Sequence, residues 1–331
     1  MITFIQMPTI PYNWMIQRPQ QIMKELNRRN NLVYYIENLT GNYLLKKNNN
    51  FYVSGRNFDI KNIKTRGNIV LWCSSPKQVE LVDIIPHDYV IYDIIDEASH
   101  EFIGWRQSIK KMISKADIIF TSSENLYNKY KNLYVKTYLI KNGVDSEHFT
   151  LNKSKWPKDL PTGKKIIGYS GAIASWLDWN IINYISKDSN YNFVFIGALI
   201  NQIRDLILRD NIYFLGLKQY REVPFYINNF DCCLIPFKLN SMTNCCNPIK
   251  LYEYFALGKP AVCTNMYGIK EFNNICYIAK SKLEFRKKIY NAVDENDNKL
   301  FNMRIEIAKK NSWKDRVDTI LNILYEEFGI R

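Results

Sequence analysis

The sequence predicts an α/β protein made of two doubly wound halves, and three observations predict it. Short apolar runs alternate with amphipathic stretches along all 331 residues. Those runs are apolar enough to be parallel strands covered on both faces. One stretch without periodicity, around 150–163, divides the chain into two parts of similar size and rhythm.

The first half supplies six candidate strands: ITFIQM (2–7), LVYYIE (32–37), NIVLWC (68–73), YVIYDII (89–95), DIIFTS (117–122) and TYLIKN (137–142). The second supplies KIIGYS (165–170), NFVFIG (192–197), IYFLG (212–216), CCLIPF (232–237) and PAVCT (260–264). Helical stretches lie between them. In RPQQIMKELNRR, Ile22 and Leu26 are four apart and Pro19 stands near the start, as a first turn allows. The alternation is that of a doubly wound sheet. The dividing stretch LNKSKWPKDLPTGKK holds two prolines, one glycine and five lysines, and reads as a linker. The expected domains are 1–150 and 151–312. Residues 281–310 carry a polar-faced helical pattern. The last stretch, SWKDRVDTILNILYEEF (312–328), places Val317, Ile320, Leu321 and Leu324 on one stripe, which needs a partner surface.

Composition narrows the class. Hydrophobic residues make up 47% and charged residues 23%, which is a folded composition and not a disordered one. The formal charge of +13 suits nucleic acid, anionic lipid or phosphorylated small molecules. The signatures of RNA-binding and zinc-finger modules are absent and the lysines are dispersed, so nucleic acid is the weaker partner. Seven cysteines, an odd number, follow an N-terminus that reads as a buried strand; the expectation is a reducing cytosol. Cys232-Cys233 and Cys245-Cys246 lack the spacing of zinc ligands, and the first doublet lies in an apolar run. No apolar stretch reaches the roughly 18 residues of a membrane span. No nucleophile triad, P-loop or metal spacing appears, so neither metal nor cofactor is expected. DEND (294–297) reads as part of a polar helical region.

The segment NPIKLYEYFALGKPAV (247–262) carries the most chemistry. Asn247 suits a helix cap and Pro248 its first turn. Leu251 and Phe255 face the core, and Lys250 and Glu253 share the other face. A helix start with a lysine one turn in attracts anions. The same spacing also suits an ordinary surface ion pair. A second constellation is IYDIIDEASHEF (91–102), where Asp93, Asp96, Glu97 and His100 end a buried strand. Ligands of open α/β sheets bind beyond the carboxyl ends of strands, and a carboxylate there can take a proton from a hydroxyl. Helix capping accounts equally well for each of these carboxylates. Trp14 and Arg18 follow the first strand at the same edge. Arg18 suits an acceptor phosphate or a plain surface position.

In order along the chain, WMIQRPQQIMKEL, ADIIFTSSENL (116–126), KNGVDSEHF (141–149), GYSGAIASWLDW (168–179), FLGLKQYREVPFYINNFDCCLIPF (214–237) and the 247–262 segment resemble the GT-B glycosyltransferases. The likeness is to family four, especially its teichuronic-acid branch, with some similarity to xanthan-assembly glucuronosyltransferases. The resemblance implies two Rossmann-like domains facing a central cleft. It also implies a C-terminal helix, about 313–331, that crosses back to the first domain. It implies a metal-independent transferase of the hexosyl class. The donor is a nucleotide sugar, UDP-linked by preference, and the acceptor a glycan or polyprenyl-linked glycan. Gly171, Ala172, Leu217, Tyr220, Phe237, Pro248, Lys250, Leu251 and Glu253 then fall at the donor site, with Glu253 on the ribose. Asp96, or else Asp93, falls at the catalytic base, and Trp14, Arg18 and His100 at the acceptor. Two departures stand out. The second glutamate that family four carries eight residues before Glu253 is Cys245 here, and no basic pair follows Gly171. Lys250 can supply the missing charge, as in the glucuronosyltransferases, which invert where family four retains; stereochemistry stays open. Epimerases, phosphorylases and a basic nucleic-acid binder are the alternatives. WRQSIKKMISK (105–115), with Trp105, Ile109, Met112 and Ile113 beside Arg106, Lys110, Lys111 and Lys115, suits either peripheral docking on an anionic inner membrane face or a buried face with a solvated lysine edge.

Overall fold

The computed structural model describes residues 1–133, 136–150, 155–203 and 205–331. They form two units. The first comprises Met1–Asn142, Cys245–Asn247 and Trp313–Arg331, the second Gly143–Asn244 and Pro248–Ser312.

The first unit is a mainly parallel eight-stranded sheet. Its strands are β1 (Thr3–Thr9), β2 (Leu32–Glu37), β3 (Leu44–Asn48), β4 (Phe51–Ser54), β5 (Ile69–Cys73), β6 (Tyr89–Ile94), β7 (Ile118–Thr121) and β8 (Thr137–Leu139). They run in the order β3-β4-β2-β1-β5-β6-β7-β8, and only β3 is antiparallel. Helices α1 (Arg18–Arg28), α2 (Val79–Val82), α3 (Arg106–Lys115) and α4 (Glu124–Tyr130) connect them. The order reverses between β1 and β5, the switch point where doubly wound sheets open a crevice. The six strands read from the sequence are all present. β3 and β4 are additional: β3 is exposed along its whole length and has no apolar pattern to announce it.

The second unit holds six parallel strands: β9 (Lys165–Ser170), β10 (Tyr191–Ile196), β11 (Ile212–Gly216), β12 (Cys232–Ile235), β13 (Ala261–Thr264) and β14 (Tyr277–Ala279), ordered β11-β10-β9-β12-β13-β14. Its helices are α5 (Trp179–Ile185), α6 (Val223–Asn228), α7 (Ser241–Asn244), α8 (Ile249–Ala256), α9 (Lys282–Val293) and α10 (Asn298–Lys310). The switch point lies between β9 and β12. Cys232 and Cys233 are buried in β12, and burial pushes both thiols up.

Two expectations change here. The boundary drawn at 150 falls at 142, because Gly143–Phe149 build into the second unit. The Val144 N–H bonds Asn311 O at 3.0 Å and Phe149 enters that unit's core. Part of the predicted linker, 151–154, lies outside the described residues. DEND interrupts the helical region instead of continuing it. Asp297 caps α10 by accepting from the Lys299 and Leu300 N–H groups at 2.8 and 3.1 Å, and Glu295 pairs with the buried Arg304.

The chain ends in α11 (Trp313–Phe328), which belongs to the first unit. Its buried stripe is Trp313, Val317, Ile320, Ile323 and Leu324, the 3.6-residue period of a helix packed on one side. Arg29, just past α1, bonds the Asp318 carboxylate and Lys314 O, and Phe328 stacks on Tyr89 at 4.3 Å. Among the described residues no helix is long and apolar enough to cross a membrane.

Candidate active site

In the second unit, β9 and β10 lie in register with Ser170 opposite Ile196, so Gly171 and Gly197 leave the sheet side by side. Both have positive φ, +155° and +142°. A Cβ on Gly197 would stand 1.8 Å from Gly171 O, and one on Gly171 2.7 Å from Tyr169 Oη. Only glycine permits this backbone approach. The Gly171 N–H donates to Ile196 O and the Gly197 N–H to Gly216 O, each at 2.9 Å, which ties three strand ends together. Ala172 is half-buried, and its carbonyl accepts from Tyr169 Oη at 3.0 Å.

Helix α8 docks on this loop through Tyr254, whose hydroxyl accepts from the Ser170 N–H at 3.0 Å and donates to Leu234 O at 3.4 Å. That fixes the helix against β9 and β12 at the switch point. On α8, Lys250 Nζ lies 2.9 Å from Glu253 Oε2, with side chains 24% and 3% exposed. Burial raises the Glu253 carboxyl and Lys250 opposes the rise. The lysine keeps a face to solvent while the carboxylate beneath it does not.

Several donor candidates sit otherwise than expected. Asn247 does not cap α8. Pro248, extended, precedes the helix, no side chain caps it, and the Asn247 side chain bonds Asn142 in the first unit. Leu251 is fully buried in the core and Phe237 nearly so, edge-on to Tyr169; both pack and neither lines a surface. Pro248 is buried as well. Tyr220 stacks on His148 with rings 4.0 Å apart and 9° from parallel, and Phe149 meets it edge-on. The stack holds Gly143–Phe149 to the turn after β11. Leu217 in that turn is 49% exposed.

In the first unit, Arg18 and Asp93 are not at a sheet edge but under it, with side chains 1% and 0% exposed. Arg18 Nε and Nη2 donate to the Asp93 carboxylate at 2.8–3.0 Å, and Nη1 donates to Ile140 O at 2.8 Å and Asn142 Oδ1 at 3.2 Å. Trp72 Nε1 also donates to Asp93 at 3.2 Å. The charges are spent on each other, so Arg18 is no acceptor contact and Asp93 no base. A buried charge must be paired in this way to be tolerated.

Asp96 differs. It follows β6 and keeps part of its surface. Among the described residues no hydrogen bond or ion pair reaches its carboxyl, and burial pushes that carboxyl up to about 6. The Cys246 thiol is near enough for the Asp96 charge to raise it further. Cys245 packs against the first unit's core, and burial pushes its thiol up to about 11, so it is a neutral thiol in ordinary buffers. Glu97 is taken by Lys129 at 2.6 and 2.8 Å. His100 is exposed and, like Met15 beside the half-buried Trp14, has a positive φ, +48° and +39°. Strained non-glycine residues thus stand in the loops after β6 and β1, on the ligand side of the sheet.

Sequence reasoning missed Gly197, Tyr254 and the partners of Asn142. A glycine directly after an apolar strand, as at Gly171, was the signal for Gly197. Tyr254 reads as one more core aromatic.

Two doubly wound units, each with its polar groups at the carboxyl edge of a parallel sheet, make up the GT-B fold. Residues 152–310 match the family described as glycosyl transferases group 1. Over 219 residues, 59% of this chain, the protein is 26% identical to TuaH of Bacillus subtilis, named as a teichuronic acid biosynthesis glycosyltransferase. The match covers 55% of TuaH, so the chain spans about half the length of that relative. Among solved structures, sucrose-phosphate synthase from Thermosynechococcus elongatus superposes with a TM-score of 0.73 at 12% identity, over 99% of both chains. HepE of Anabaena in complex with UDP-glucose gives 0.69 at 12%, over 97% of this chain and 100% of that one. A glycosyltransferase from Rickettsia africae gives 0.66 at 14%, over 100% and 99%.

Proposed function

We propose that this protein transfers a hexosyl group from a nucleotide-diphosphate sugar, UDP-linked by preference, to a glycan or polyprenyl-linked acceptor in cell-surface polysaccharide assembly. The observation that carries the reading is the Asp96 carboxyl beyond β6, unpartnered among the described residues, in a chain whose residues 152–310 match group 1 glycosyl transferases and carry Lys250 and Glu253 on α8. The UDP-glucose held by HepE supports the base, and the polysaccharide role of TuaH supports the pathway class.

In this reading the second unit holds the donor. Glu253 accepts from the ribose hydroxyls, and Lys250 with the uncapped start of α8 meets the diphosphate. The bond between the sugar's C1 and the β-phosphate oxygen breaks, and the nucleoside diphosphate leaves with its new charge beside Lys250. The acceptor oxygen bonds C1 and its proton goes to Asp96. A base acting on the acceptor while a neutral thiol occupies position 245 favours inversion. Lys250 supplies the charge that a divalent ion supplies elsewhere. A thermal-shift panel of UDP, GDP, ADP and CMP, run with and without EDTA, tests this. UDP should give the largest shift, unchanged by EDTA, since a ligand at 100 times its Kd adds about 2.7 kcal/mol. No response to any nucleotide would sink the donor site. Epimerase activity would show instead as an altered UDP-sugar without acceptor, and phosphorolysis as a need for phosphate.

Peripheral membrane docking belongs to the same reading, at a corrected place. Met112 is buried and Ile109 and Ile113 turn toward the core, so the apolar face of α3 is not free to insert. Ile103, 50% exposed beside the packed Phe102–Trp105 pair, precedes the exposed Arg106, Lys110 and Lys111. An apolar tip flanked by cations suits an anionic bilayer. Co-sedimentation should favour anionic over neutral vesicles and weaken severalfold in Ile103→Asp; equal binding to both vesicles counts against docking.

A further inference from the structure

The first unit is assembled from three separate chain segments, and one residue touches the ends of all of them. Asn142 is the last residue of the first segment, Asn247 the last of the second, and Arg316 lies at the start of the third. The Asn142 N–H donates to Asn247 Oδ1 at 2.8 Å, and Asn142 Nδ2 donates to Asn247 O at 2.6 Å. Asn142 Oδ1 accepts from Arg18 Nη1 at 3.2 Å, and Asn142 O accepts from Arg316 Nε at 3.2 Å. Every polar atom of Asn142 is therefore engaged, and Arg18, Asn142 and Asn247 are all buried. Asparagine alone offers a donor and an acceptor side by side on so short a stem, which lets it join an amide, a carbonyl and a guanidinium at once.

What this clip holds matters for chemistry. Through Arg18 it is joined to Asp93, which lies three residues before Asp96 on the same strand-to-loop stretch. Asn247 is followed directly by Pro248 and α8, with Lys250 three residues on. We propose that Asn142 is a positioning residue for transfer. By bonding Asn247, Arg18 and Arg316 at once, it holds Arg18 on Asp93 and so fixes the backbone leading into the Asp96 loop of the first unit. This inference rests on the transferase reading above, because it assigns Asn142 to the step in which Asp96 takes the acceptor's proton. A saturated buried network is suited to such a task, since it allows one arrangement and penalises any other. Small misplacements of reacting groups cost rate far more than binding.

The experiment compares Asn142→Ala, Asn247→Ala and Asn247→Asp with the parent. It measures melting temperature, UDP affinity by calorimetry and UDP release from UDP-glucose. Asn247→Asp keeps the Oδ acceptor for the Asn142 N–H. The expected result is UDP affinity within about twofold of the parent in all three, because the donor contacts lie in the second unit. UDP release should fall tenfold or more in the two alanine variants and stay within about threefold in Asn247→Asp. Alanine variants that melt like the parent and release UDP at its rate overturn the proposal. So does a loss of UDP affinity that matches the loss of turnover. Should an alanine variant fail to fold, amide exchange in the parent decides. The Asn142 amide should exchange as slowly as those of β1 and β6, and exchange at the rate of surface loops overturns the clip. A parent that binds no UDP sinks the transferase reading instead, and exchange still judges the clip.

Discussion

Arg18 with Asp93 in the first unit and Lys250 with Glu253 in the second are each a cation hydrogen-bonded to a buried carboxylate in a doubly wound unit. They are built differently. The guanidinium of Arg18 divides its donors among Asp93, Ile140 O and Asn142, and neither charge meets solvent. Among the described residues Lys250 has only Glu253 as a charged partner, and its side chain is 24% exposed. A pair with no spare capacity organises the fold. A pair with one part-exposed member is the one a ligand could reach, as the proposed donor role requires.

The largest effect should separate the two pairs by stability. Arg18→Ala leaves Asp93 buried and unpaired, which costs about 3–5 kcal/mol, whereas Lys250→Ala removes a partner that is 24% exposed and leaves Glu253, whose carboxyl burial already pushes toward the neutral form, so it should cost less. Denaturant unfolding checks this; equal losses would erase the distinction.

Next in size is the comparison of Asp93 with Asp96. Asp96→Asn should lower transfer by roughly a hundredfold or more and leave UDP affinity as it was. Activity in the parent should rise as pH passes about 6, where Asp96 gives up its proton, and then level off. Stability runs the other way. Burial pushes the folded carboxyl up to about 6, above the usual aspartate range near 4, so ionising it costs the folded state. That cost is present above pH 6 and disappears below about pH 4. Asp96→Asn should therefore be the more stable protein at neutral pH and lose the advantage in acid. A less stable variant with normal turnover would assign Asp96 to structure.

The smallest effects sharpen the donor pair itself. Lys250→Ala should weaken UDP binding about tenfold while leaving uridine binding nearly unchanged, because the lysine faces phosphate. Glu253→Ala should weaken both, because both carry the ribose. Parent-like UDP binding in the two variants would reduce the pair to a structural contact.

Strands β1, β2, β5–β13 and the stripe of α11 were legible because burial imposes a period on sequence, and the period survives without knowledge of the partner. β3, β4 and β14 were not: β3 is exposed throughout, and β4 and β14 are only four and three residues long. Gly171 and the Lys250–Glu253 spacing were legible because local geometry forces both, a positive φ in one case and one helical turn in the other.

Sequence alone determined that this chain makes two doubly wound sheets, which strand ends carry polar groups, and which helix carries a lysine one turn ahead of a glutamate. Tertiary structure decided what those groups are free to do. Asp93 and Asp96 are the same residue type three positions apart. Only the arrival of Arg18 from α1 and Trp72 from β5 makes one a structural anion, and only the lack of any such neighbour among the described residues leaves the other without a charged or hydrogen-bonding partner. Asn142, Asn247 and Arg316 likewise meet from segments 105 and 174 residues away from Asn142. Period and spacing act along the chain, whereas charge neutralisation and hydrogen-bond capacity depend on which atoms the fold brings within 3 Å or so of each other.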